Sequence, residues 1–374
     1  MHTASPQPPC PIWQRIRARG MHTVAVMGMT KNTGKTVALN HLMAQAAADH
    51  VAMGLTSIGR DGEAVDAVFS YPKPPVQVWP GTLVATARST LQRAAVHTRV
   101  LGSTGLASPM GEILLVKILE AGTMEVAGAS RGHDQLSLIA QMRQCGAALV
   151  FLDGALGRSQ HASPAIADGV VLATGAAVGG GMADVLRKTR ARLGILGLPA
   201  ADAATARRVA GVFAGQGVAL WGIQGELLWQ AEIASLNAAQ ALLGQAQAHS
   251  HIGTVACTGA VGRALWQAFE QLASVHPGLR VVVADGTRLF VGSTELAALA
   301  QRGGQCIAWR RIELAGLTVN PFSPLGGHFV ATDFLAQARS AFADHPVTDV
   351  LLERGTGAPA IAPPEPHSLE ARHG

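Results

Sequence analysis

"GMTKNTGKT", residues 28–36, joins the apolar run "TVAVMG" (23–28) to the helix-forming stretch "VALNHLMAQAAA" (37–48). The spacing is G-x-x-x-x-G-K-[ST] between a strand and a helix, the pattern of a loop that turns backbone N–H groups inward around phosphate. Gly28 and Gly34 permit the turn, and Lys31, Asn32 and Thr33 are expected to contact the nucleotide, with a solvent-facing Lys31 as the alternative. Lys35 is expected to reach the β- and γ-phosphates, and Thr36 to offer its hydroxyl to magnesium. The chain has only 5 lysines, Lys31 and Lys35 among them, against 24 arginines; a compact ammonium suits a phosphate crevice better than a broad guanidinium.

The surrounding chain reads as α/β. Apolar runs at 51–59, 147–155 and 168–176 alternate with helical stretches at about 134–144 and 181–192, which implies a largely parallel sheet flanked by helices, the P-loop NTPase-type arrangement. Between Val76 and Gly128 the helical rhythm lapses into short apolar runs and turns, read as a β-rich insertion. The rhythm resumes after an Ala- and Gln-rich stretch, which sets the expected organisation: a tail over 1–20, a nucleotide-binding domain over 21–198 with its insertion at about 76–128, a C-terminal α/β region over 199–352, and a second tail over 353–374. "VALWGIQGELLWQ" (218–230) reads as a hairpin with a two-residue turn or as a strand pair.

Composition narrows the function classes. The 374 residues carry a net charge of +5, but the arginines are scattered and aromatics make up 4%, so no basic, aromatic-interleaved stripe for nucleic acid is present. No stretch reaches the ~18 unbroken apolar residues of a membrane span, and the start lacks a signal-like apolar segment, so a cytoplasmic protein is expected. Cys10, Cys145, Cys257 and Cys306 stand apart without metal-ligand spacing and read as reduced, mostly buried thiols. The H-E-x-x-H motif is absent.

Several polar residues fall where such a loop would need them. Asp153, closing "ALVFLD", has the form of a Walker B acid that holds a magnesium water; a strand-ending Asp-Gly turn is the alternative. Asp61 and Glu63 of "RDGE" end the second strand, where Asp61 could orient an attacking water or bind metal, a plain turn being the alternative. "SQHASPAIAD" (159–168) offers Ser159, His161, Ser163 and Asp168 either as a moving polar loop or as caps. Asn320 in "LTVNPFSP" could read a purine edge or simply turn the chain with Pro321. "ADGTRLF" (284–290) pairs Asp285 with Arg288 at an interface or a ligand. Lys31 lies four positions before Lys35, whereas the signature lysine of dimerising phosphate-loop ATPases lies five before, so that role does not apply.

The combination of "VAVMGMTKNTGKTVALNHL", "GLTSIGRDGE", "GTLVATA", "LVFLDGALGRSQHASPAIADGVVLATGAAV" and "LTVNPFSP" resembles the ATP-binding subunit of lysine 5,6-aminomutase reactivases over most of residues 21–350. The resemblance implies an ATPase of low intrinsic turnover, using ATP and Mg2+, that serves as a switch in reactivating a cobalamin-dependent lysine or ornithine aminomutase. Its implied partners are that aminomutase and a MutS-like second ATPase subunit. A looser similarity to dethiobiotin synthetase implies an ATP-dependent, carboxylate-activating ligase with Asp61 or Lys31 near the substrate. A module that binds nucleotide without hydrolysing it is the third expectation.

Overall fold

The computed structural model describes residues 10–58, 75–154, 162–324 and 326–353. After α1 (Pro11–Ala18), strand β1 (Thr23–Gly28) leads through the loop into α2 (Lys35–Ala48) and β2 (Met53–Ser57). There follow β3 (Val76–Val78), β4 (Leu83–Ala87), α3 (Arg88–Leu91), β5 (Thr98–Ser108), β6 (Gly111–Ile118) and β7 (Gly122–Met124). The chain continues with α4 (Gly132–Gln144), β8 (Leu149–Asp153), β9 (Gly169–Gly175) and α5 (Met182–Leu196).

A second unit then forms from α6 (Ala203–Ala214), β10 (Val218–Gly222), β11 (Leu227–Ala231), α7 (Ala238–Ala246) and β12 (Ile252–Cys257). It is completed by α8 (Arg263–Val275), β13 (Arg280–Val283), α9 (Ser293–Gln301) and β14 (Gln305–Ala308). Last come β15 (Leu314–Asn320), α10 (Ala331–Ala341), β16 (Val347–Thr348) and α11 (Val350–Glu353).

Among the described residues the large sheet has nine strands in the order β16-β15-β9-β1-β8-β2-β4-β6-β5. From β16 to β4 neighbouring strands run parallel, and β6 and β5 add an antiparallel edge. The protein is therefore α/β, with a large mixed, mostly parallel sheet flanked by helices. The central strands are apolar at nearly every position because both faces are covered. In β1, Val24 and Val26 enter one core while Ala25 and Met27 enter the other; in β8, Leu149 and Phe151 side with the first, Val150 and Leu152 with the second.

The topology redraws the expected organisation in three places. The supposed β-rich insertion supplies β4, β6 and β5 to the large sheet itself, and only β3 and β7 form a separate two-stranded ribbon. The region over 199–352 is not one unit: β10 to β14 form their own five-stranded sheet, whereas β15 and β16 return to the first, so the second unit is an excursion between β9 and β15. Residues 11–18, read as tail from their proline-rich setting, fold as α1 because Ile12, Trp13 and Ile16 recur on one face and are buried. Trp13 Nε1 donates to Asp49 Oδ2 at 2.8 Å. The hairpin of β10 and β11 is present, but residues 223–226 connect it in place of a two-residue turn.

The two units meet through a buried hydrogen bond: Ser163 Oγ donates to Asp285 Oδ2 at 2.6 Å. The other oxygen, Asp285 Oδ1, accepts from the Thr287 backbone N–H at 2.8 Å and caps the short turn that follows. Ser163→Ala is expected to destabilise the protein by about 1–3 kcal/mol, since Asp285, 2% exposed, would keep a desolvated oxygen without its donor. Denaturant unfolding checks the magnitude, and faster amide exchange around Thr287 checks the location.

All four cysteines are free, with Cys10, Cys257 and Cys306 buried and Cys145 exposed. Burial pushes the Cys257 thiol up to about 11 and the Cys306 thiol up to about 12. A thiol reagent on native protein at pH 8 is expected to modify Cys145 rapidly and the other three only on unfolding, as peptide mass mapping would show.

Among the described residues no helix is long and apolar enough to cross a membrane.

Candidate functional site

The parallel order places the carboxyl ends of β2, β8, β1, β9 and β15 along one edge, the edge where open α/β sheets hold ligands. The loop 28–36 rises from this edge at β1, between β8 and β9. Its shape depends on two glycines. Gly34 caps α2 at φ +86°, in the left-handed region, and a Cβ there would lie 3.3 Å from Asn320 Cβ. A Cβ on Gly28 would come 2.7 Å from Thr33 Oγ1, which donates to Thr30 O at 2.9 Å and ties the loop across its waist. Asn32 also adopts positive φ, 63°, a conformation asparagine tolerates better than most residues. Met29 N–H donates to Ala173 O at 2.8 Å, carrying the β1–β9 ladder into the loop.

Lys35 and Asp153, remote in sequence, meet here. Lys35 Nζ donates to Asp153 Oδ1 and, at 2.6 Å, to Gly154 O. The register makes this possible: Asp153 lies opposite Val26 of β1 and Ser57 of β2, and Gly154 N–H donates to Val26 O at 3.0 Å. Both side chains remain partly open to solvent, Lys35 at 25% and Asp153 at 18%. Thr36, one residue along α2, is half-buried.

Asn320 ends β15 opposite Gly175 and reaches the loop: its Nδ2 donates to Asn32 O at 3.2 Å, and its Oδ1 accepts from Phe322 N–H at 3.1 Å. Its amide thus supports the loop from below and turns the chain at Pro321. Lys31 is exposed on the outer side of the loop and makes an interaction of its own.

Asp61 and Glu63, and likewise Ser159 and His161, lie outside the described residues. The chain leading toward Asp61 passes beside the acid, since Ile58 N–H donates to Asp153 O at 3.2 Å. The remaining candidates have structural positions away from the loop. Asp168 Oδ2 accepts from His22 N–H at 2.8 Å and Thr23 N–H at 2.9 Å, fastening the start of β1 at the opposite edge of the sheet. Ser163 and Asp285 join the two units, and Arg288 closes the turn begun by Asp285, its N–H donating to Asp285 O at 3.1 Å.

Sequence reasoning did not single out the cleft between the start of the loop and the second unit. It occupies about 580 Å³ and takes in Met27, Gly28 and Met29 from one side and Arg263, Phe290 and Glu295 from the other, with Arg192 of α5 between them. Residues from distant stretches line it, and apart from Gly28 and Met29 of the loop none belongs to a local motif. Nor did the Phe322–His328 stack, 4.5 Å between ring centroids beside Asn320, have a sequence signal beyond the Asn-Pro turn.

A strand-borne carboxylate, an ammonium at the first turn of a helix and a glycine-bounded loop thus converge at the carboxyl edge of a mostly parallel sheet. No family model matches the chain, and no curated protein matches it at a significant level.

Proposed function

We propose that the protein is a P-loop ATPase with low turnover of its own, acting as a nucleotide-driven switch on a protein partner. The observation that carries this reading is the meeting of Lys35 and Asp153 at the mouth of the 28–36 loop. A phosphate-binding lysine and a metal-holding acid must lie side by side, because the β- and γ-phosphates and their metal ion occupy one small volume. The Thr36 hydroxyl and the Asp153 carboxylate are hard oxygen donors that suit Mg2+, which would neutralise charge developing on the phosphates. In this reading Lys35 holds the terminal phosphates, the loop backbone from Gly28 to Gly34 cradles them, and Asp61 orients the attacking water. Asn320 takes the role of loop support in preference to purine reading, since both ends of its amide are engaged.

The resemblance to aminomutase reactivase subunits supports a specific client: a cobalamin-dependent lysine or ornithine aminomutase, together with a MutS-like ATPase subunit. Differential affinity of nucleotide for two conformations would provide the switch.

Calorimetric titration with ATP and MgCl2 tests the reading. Saturable binding that weakens when MgCl2 is replaced by EDTA is expected, with slow phosphate release that rises on adding the aminomutase. Absence of nucleotide binding to the folded protein would refute it.

A further inference from the structure

The cleft beside the loop carries positive charge that nothing in the described chain answers. Arg192 is half-buried on α5, and burial pulls its guanidinium below the ordinary arginine range. Arg263 stands exposed at the first position of α8. Among the described residues neither side chain makes an ion pair or a hydrogen bond, although both line the same cavity of about 580 Å³. Half-burial of the Arg192 cation without a counter-charge carries a cost that an entering anion would relieve.

Glu295 also lines the cleft, but its Oε2 accepts from the Gly292 N–H at 3.0 Å and caps α9, and it pairs with neither arginine. Two guanidiniums against one carboxylate leave the cleft net positive. The rest of the lining is largely apolar: Met27, Met29, Leu289, Phe290 and Val291. Phe290 is 57% exposed and gives the lining an accessible aromatic ring. The volume falls within the ~300–1,000 Å³ of small-molecule sites, and such sites favour junctions between units.

We propose that this cleft binds a small amphipathic organic acid, its carboxylate held by Arg192 and Arg263 and its apolar chain laid against Met29 and Phe290. Arginine suits the role because its planar fork matches a carboxylate in bidentate fashion. The site goes beyond the ATPase reading and does not depend on it: Gly28 and Met29 border both the cleft and the loop, but none of the phosphate-directed groups of Lys35, Thr36 or Asp153 lines the cleft.

Hexanoate is the probe, with hexan-1-ol and hexylammonium as matched controls, observed by saturation-transfer NMR on the full chain. Hexanoate is expected to show saturable transfer that hexylammonium lacks, and Arg192→Gln and Arg263→Gln are each expected to weaken it about tenfold, the effect of losing one charged contact. Saturating ATP with magnesium should leave the hexanoate signal in place. Equal transfer to acid and ammonium, unchanged binding in both variants, or displacement of hexanoate by ATP would overturn the proposal, the last by assigning the arginines to nucleotide. Should Arg192→Gln lose its circular dichroism signature of folding, Arg263→Gln, altered at an exposed position, decides alone. Because the readout needs no nucleotide, a failure of ATP binding leaves this result standing, and a failure here leaves the ATPase reading standing.

Discussion

Lys35→Ala is expected to lower ATP hydrolysis at least a hundredfold, on the order of what removing one preorganised charge-stabilising donor costs an enzyme. The lysine Nζ already sits at the mouth of the loop, held by Asp153 and by Gly154 O. Its removal takes away the only ammonium that α2 brings to the loop and leaves Asp153 to repel the incoming phosphates. Phosphate release by the folded variant, verified by circular dichroism, measures the loss, and calorimetry separates binding from turnover. Lys35→Arg should not restore activity, because a planar guanidinium cannot replace a compact ammonium between the carboxylate and the Gly154 carbonyl. Wild-type hydrolysis by Lys35→Ala would remove the basis for an ATPase at this loop.

The second large effect is structural. Gly175→Ala is expected to destabilise the protein by about 3 kcal/mol, the upper range for forcing atoms into a filled core. The added Cβ would lie 2.2 Å from the Asn320 carbonyl oxygen and 2.9 Å from Asn320 Cβ, and backbone cannot swing aside as a side chain can. Gly175 has extended φ, 167°, so the penalty is steric and not conformational. Moving β15 away from β9 would also lengthen the Asn320 bond to Asn32 O, so weaker nucleotide binding should accompany the loss of stability. Gly194→Ala is the internal control: that site lies within α5 with nothing within 4 Å of a new Cβ, and alanine there should stabilise by about 0.5–1 kcal/mol. Guanidinium chloride unfolding of both variants beside the wild type distinguishes the two directions.

What could be read from the chain followed from local physics. "TVAVMG" and "ALVFLD" appear as the central strands β1 and β8 because a strand buried on both faces must be apolar at nearly every position. The loop between Gly28 and Thr36 was legible because the turn, the helix start and the lysine form one contiguous pattern. What could not be read was non-local. Nothing in residues 76–128 signals that β4 continues the parallel sheet, since a short apolar strand has the same appearance in a ribbon, an insertion or a sheet edge. The return of β15 and β16 to the first sheet was hidden for the same reason: the alternation of strand and helix carries on unbroken from one sheet into the other. Ser163 and Asp285 were both noticed as polar loop residues, yet their pairing depends on a contact across 122 positions. Arg192 and Arg263 were invisible as a pair, being two of many scattered arginines whose common surroundings exist only after folding.

The excursion of the chain between β9 and β15 has a mechanical corollary. The chain enters the second unit after β9 and α5 and comes back into β15, the immediate neighbour of β9, so that unit is joined to the sheet by two connections and not by one. The chain comes back from that unit at Leu314, the amino end of β15, while Asn320 at the carboxyl end of the same strand has its amide on the loop that carries Lys35. One strand thus takes the chain from the second unit at its amino end and braces the rim of the 28–36 loop at its carboxyl end, so a shift of β15 along its own axis would be felt at both.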